Sequence, residues 1–109
     1  MSSTAKICEL NDAFRTTLRG NGDVYLTAGV AALPEEEQGE IIRRVRRFDT
    51  FTPEKDPHYE HDFGSFEHAG KKVFWKIDYY DLDLRYQSPD PADEDSTMRI
   101  LTVMLAEDY

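Results

Sequence analysis

A single cysteine, Cys8, occurs among 109 residues. That excludes an intrachain disulfide framework and any zinc site built from several cysteines. Cys8 falls on the apolar side of a predicted helix, where a thiol is expected to be buried and inert rather than nucleophilic. Long hydrophobic runs are also missing, and no stretch approaches the roughly 18 apolar residues that cross a bilayer. Met1 to Lys6 has neither a basic start nor an apolar segment, so no secretory signal is expected and the chain is read as cytoplasmic. Positive charge is scarce: 13 Lys and Arg face 22 Asp and Glu, a net charge of −9. Such a chain repels phosphates, which disfavours nucleic acid as a direct ligand and suits a protein partner with a basic surface.

What is present is enough for one core. Six Phe, six Tyr and one Trp supply bulky core material, and the length suits a single domain over residues 1–109. Ile7, Leu10, Phe14 and Leu18 recur at helical spacing and predict an amphipathic helix over 4–19, stopped by Gly20-Asn21-Gly22-Asp23. Val24–Thr27 reads as a short strand, and Ala28–Leu33 as either its continuation or a turn. Pro34 followed by Glu35, Glu36 and Glu37 opens a second helix that runs to about Arg47, with Ile41, Ile42, Val45 and Phe48 inward.

Residues 49–62 read as a loop. A hairpin then follows, with strands 63–67 and 72–80 joined through His68-Ala69-Gly70-Lys71. Val73, Trp75, Ile77 and Tyr79 mark its buried face. Met98–Leu105 is apolar on both faces apart from Arg99 and Thr102, the pattern of a central strand. The expected fold is α+β: an antiparallel-rich sheet of about four strands, two helices on one face, order α-β-α-β-β-β.

Charge is distributed unevenly. Residues 1–48 hold seven acids and seven bases, whereas residues 49–95 hold thirteen acids and five bases, net −8. Asp78, Asp81, Asp83, Asp90, Asp93, Glu94 and Asp95, with Tyr80 and Tyr86 as anchors, are the candidate partner-binding residues. Carboxylates interleaved with aromatics imitate a nucleic-acid strand and approach a basic groove quickly; the plainer alternative is a solvated strand face. Arg43, Arg44, Arg46 and Arg47 are expected to neutralise the helix end and pair with Glu36, Glu37 and Glu40, or else to hold a phosphate or carboxylate.

The densest polar cluster is Asp56-Pro57-His58-Tyr59-Glu60-His61-Asp62. His58, Glu60, His61 and Asp62 form the alternative site, able in principle to hold a divalent metal or to act as acid and base. Its histidines are three apart on a loop, and no spacing fixes a third ligand. A structural role is better motivated: Asp56-Pro57 starting a turn, Glu60 and Asp62 accepting backbone N–H groups, His61 bridging to the sheet, and Gly64 permitting a bulge. No cofactor and no catalytic residue is assigned.

Asn11–Arg15, Glu60–Gly64, Trp75–Asp81 and Arg99–Ala106 together resemble a family of short alphaproteobacterial, often plasmid-borne proteins known only as a domain of unknown function. The resemblance spans nearly the whole chain and implies no activity, cofactor or catalytic residue. His58-Tyr59 stands where that family carries Tyr-Gly, which argues against a family-wide metal site at His58. Association with mobile elements suggests by analogy an anti-defence protein, an anti-CRISPR or antirestriction factor, that blocks a basic nucleic-acid-binding surface. A small enzyme at the 58–62 cluster and a scaffold homodimer are the other expectations, and the chain is read as monomer or homodimer.

Overall fold

The computed structural model describes residues 3–109. Its elements run α1 (Ser3–Thr17), β1 (Gly22–Leu26), α2 (Ala28–Ala31), α3 (Glu35–Arg47), β2 (Phe63–His68), β3 (Lys71–Tyr80) and β4 (Met98–Leu105), with single 3₁₀ turns at Glu94–Ser96 and Ala106–Asp108. The ambiguous segment after β1 is the extra helix, a single turn. Among the described residues no helix is long and apolar enough to cross a membrane.

The four strands lie in the order β1-β4-β3-β2. β2 with β3 and β3 with β4 are antiparallel, but β1 pairs with β4 in parallel. The sheet is therefore mixed: antiparallel in two of its three pairings, in keeping with the antiparallel-rich expectation, with a parallel β1–β4 pair in addition. Local pattern cannot reveal this, because β1 and β4 are separated by two helices and a hairpin before they meet. The central place of β4 follows from its composition: apolar on both faces, it is best satisfied between two neighbours.

Val24 and Leu26 of β1, Phe66 of β2, Val73, Trp75 and Ile77 of β3, and Leu101, Val103 and Leu105 of β4 share one face with Phe14, Val30, Ile41 and Val45 of the helices. α1 ends earlier than its glycines suggest. Leu18 itself takes the left-handed conformation at φ 57°, and its N–H closes on the Phe14 carbonyl at 2.6 Å. In the hairpin, Ala69 and Gly70 both have positive φ, 50° and 79°. That is the conformation required of a two-residue connection whose twist matches the strands.

No bulge occurs at Gly64, because β2 and β3 pair without interruption. Gly64 lies opposite Trp75, and a Cβ there would come within 2.5 Å of Trp75 Nε1 and 2.8 Å of Phe48 Cε1. Its hydrogen side chain is therefore a packing requirement. At Gly39, mid-helix in α3, the nearest atom would be Arg43 Nη1 at 3.5 Å. Gly64→Ala should cost about 1–3 kcal/mol through overpacking, and Gly39→Ala should gain about 0.5–1 kcal/mol through helix propensity. Urea denaturation of the two variants should shift the midpoint in opposite directions.

Candidate functional site

Asp56 organises the 56–62 loop. It is 3% exposed, and its carboxylate accepts the N–H groups of Glu60 and His61, each at 3.2 Å. Those bonds hold Tyr59 and His61 in the left-handed conformation, at φ 57° and 54°. A non-glycine residue resists that geometry, and it persists here because its surroundings fix it.

His61 turns toward α1, which corrects the expected bridge to the sheet. Its Nδ1 lies 3.0 Å from both Asp12 carboxylate oxygens, and its Nε2 is 3.8 Å from Asp56. The Phe51 ring stacks on the imidazole at 3.7 Å with a 2° interplanar angle. Nδ1 is thus at hydrogen-bonding distance from a carboxylate and Nε2 beyond it.

Asn11 is fully buried and joins three segments. Its amide donates to the Glu60 carbonyl at 2.9 Å and to the Tyr79 hydroxyl oxygen at 2.8 Å, while its carbonyl accepts from Arg99 Nε at 2.8 Å. Tyr79 in turn donates to the Glu60 carboxylate at 2.8 Å. Arg99, only 3% exposed, reaches the Pro91 carbonyl and lies 5.4 Å from the Tyr79 ring. Burial draws the Arg99 guanidinium below its ordinary value, with Tyr79 and Glu94 opposing the shift. Burial pushes the Tyr79 phenol far above its ordinary value, so it remains a neutral donor.

Arg15, one turn along α1, is also 3% exposed. It donates to the Val45 and Arg46 carbonyls at 2.8 and 3.2 Å and to Asp12 at 3.1 Å. Its guanidinium lies 5.1 Å from the Trp75 ring and 5.5 Å from that of Phe51. It thereby closes the carbonyl end of α3, where a cation is favoured.

The sulfur of Cys8 and the ligand atoms of Asp12 and His61 lie within 4.8 Å of one another. A borderline-soft divalent cation accepts that donor set. Here, however, Arg15 already neutralises Asp12, and burial together with Asp12 pushes the Cys8 thiol up to about 11. The thiol is protonated at neutral pH, as expected of an inert cysteine.

The expected 58–62 site is divided. His58 is exposed and makes no hydrogen bond or ion pair among the described residues, whereas Glu60 and His61 enter the network. Asp62 is half-buried, and its backbone carbonyl accepts from Ile77 at 2.9 Å. Desolvation, then Glu60, raises the Asp62 carboxyl above its ordinary value. The Asp62 carboxyl accepts its own backbone N–H, as expected, whereas Glu60 accepts from the Tyr79 hydroxyl and Asp56 receives the N–H groups of the turn.

The acidic candidates cluster by connectivity. Asp81, Asp83, Asp90, Asp93, Glu94 and Asp95 all lie on the connection from β3 to β4. Asp81, Asp90 and Asp93 accept the N–H groups of Arg85, Ala92 and Asp95 at 3.0, 3.0 and 3.1 Å, so they also shape that loop. Asp78 pairs with Lys76 at 3.0 Å on the uncovered sheet face, where Tyr80 lies half-buried. Tyr86 is 73% exposed. Among the described residues, none of these acids pairs with a helix arginine.

The expected glutamate–arginine pairs within α3 do not form. Glu37 and Glu40 approach His68 instead, at 3.7 and 3.8 Å. Arg44 donates to the Glu67 carbonyl and covers the Phe66 ring at 4.3 Å. Sheet packing offers those side chains better partners than their own helix does.

Residues 26–108 match DUF3768, a protein of unknown function. The chain belongs to this family. Three of the four characteristic stretches lie inside the DUF3768 match, while Asn11–Arg15 precedes it on α1. No curated protein and no solved structure matches the chain. The geometry therefore carries the functional argument.

Asn11→Ala should destabilise by about 2–4 kcal/mol, since it strands the buried Arg99 and Tyr79 groups. His58→Ala should stay within about 0.5 kcal/mol; thermal unfolding separates the two. For Asp62 the folded value is raised, so its contribution favours folding at low pH and is lost as pH rises through that folded value. Asp62→Asn should therefore raise the melting temperature at pH ~7, with a gain that fades toward pH ~4.

Proposed function

We propose that the chain is a non-catalytic binding module that docks a protein through its uncovered sheet face and the β3–β4 loop, the partner supplying a basic rim. The observation that carries this reading is a group of exposed leucines and tyrosines, three in the acidic half and Tyr25 beside them on β1. Tyr25, Leu82, Leu84 and Tyr86 are 48, 54, 44 and 73% exposed. Tyr25 and Leu84 flank a shallow groove of about 400 Å³, floored by Ile100 and Thr102 and edged by Lys76, Asp78 and Tyr80. Protein interfaces combine an apolar, tyrosine-rich centre with a polar rim. Asp81 and Asp83 supply such a rim, and their sign selects a basic target.

Occupation of a groove that ordinarily holds a nucleic-acid backbone is the specific form this charge pattern favours. The polar network around Asn11 does not favour catalysis, because its donors and acceptors are spent on one another.

The test is an affinity capture from host lysate at low salt, with added DNA as competitor. Wild type should retain a basic protein that DNA displaces. Leu84→Ala combined with Tyr86→Ala should abolish retention without lowering the melting temperature, and Asp83→Lys with Asp95→Lys should weaken it at low salt more than at high salt. Retention indifferent to both variant pairs would falsify the reading. A stable dimer in light scattering that Leu84→Asp dissociates would assign the face to a second copy of the chain instead.

A further inference from the structure

We propose that the last two turns of α3 and the C-terminal end of α1 form a site for the phosphoryl group of a small molecule, on a surface separate from the docking face. Thr16, Arg43, Arg46 and Arg47 line a recess of about 350 Å³. No carboxylate lines it. None of the three arginines has an ion-pair partner among the described residues, although the chain carries 22 acids.

Arg15 donates directly into carbonyls that end α3, and Arg46 into one that ends α1, so Arg43 and Arg47 are the two that bond to neither helix end. Arg46 Nε donates to the Thr16 carbonyl at 3.1 Å, which fixes the side chain against α1 beside the recess it lines. Arg44 turns away to Glu67 and Phe66, so the convergence is selective.

Planar guanidinium groups fork onto phosphoryl oxygens with paired hydrogen bonds, and unpaired ones have no competing partner to shed. The recess shares Thr16, Arg46 and Arg47 with a wider cleft of about 470 Å³, which Asp12, Arg15, Phe48, Asp49, Phe51 and His61 also line. Asp12 and Arg15 are paired with each other there, and the Phe48 and Phe51 rings offer an uncharged portion its contact surface. The phosphoryl end therefore enters the arginine recess and an uncharged portion occupies the cleft. A polynucleotide is disfavoured, since its repeated phosphates meet the whole net charge of −9.

Isothermal titration calorimetry on the full chain at fixed ionic strength tests this, with inorganic phosphate, adenosine 5′-monophosphate and adenosine as probes. Saturable binding of the phosphate-bearing probes, and none of adenosine, is expected. Adenosine 5′-monophosphate tighter than phosphate supports a carried phosphoryl group, and equal affinity assigns the recess to the free ion. Arg43→Gln with Arg47→Gln should weaken binding at least about tenfold, as loss of charge-assisted bonds requires. Arg44→Gln should not weaken it, and circular dichroism melting should be unchanged in the double variant. The site is refuted by an absence of saturable heat, by undiminished affinity in the double variant, or by a single-stranded oligonucleotide outcompeting the mononucleotide. The docking variants leave the recess intact, so each proposal fails or stands by itself.

Discussion

Asn11 is out of contact with solvent, and its one amide group touches the 56–62 loop, β3 and β4 at once. Without it a buried guanidinium and a half-buried phenol would each lose a partner in a region of low dielectric, where an unmet polar group is costly. Arg15, on the same helix, performs a parallel task for α3 by receiving two of its terminal carbonyls. Two polar side chains of α1 thus lock the helical layer to the sheet with a directionality that apolar packing alone lacks. Arg15 Nε and Trp75 Nε1 remain without hydrogen-bond partners in this layer. The guanidinium rests instead against the Trp75 and Phe51 rings, an arrangement stabilised by the ring quadrupoles.

The two faces of the sheet are covered unequally. The helix layer covers one face of the sheet, and the other face bears Tyr25, Lys76, Asp78 and Tyr80, with Tyr109 and Phe63 against Phe74. Charge separates in the same way. Acids of the β3–β4 connection hold their own turns, and Arg43, Arg46 and Arg47 meet at a recess, so among the described residues these two groups form no ion pair with each other.

Much of the secondary structure was legible because it rests on local rules. The acids at the start of α3 and arginines at its end obey the dipole, and the alternation of Val73, Trp75 and Ile77 marks the buried face correctly. The polar network was only half legible. Glu60 and His61 drew attention by their density, whereas Asn11 and Arg15 looked like ordinary polar positions on a helix. Arg99 offered one available clue, as the lone charge in an otherwise apolar strand. A buried cation of that kind demands a partner, but its partner lies 88 positions away.

Periodicity, capping residues and composition, which depend on neighbours in the chain, determined the helices, the hairpin, the last strand and the uneven charge. Tertiary structure alone decided that β1 runs parallel to β4, that His58 and His61 part company, and that Gly64 serves Trp75 rather than a bulge. Each of those outcomes depends on which distant surface a segment meets, and the free energy of that meeting has no counterpart in local sequence.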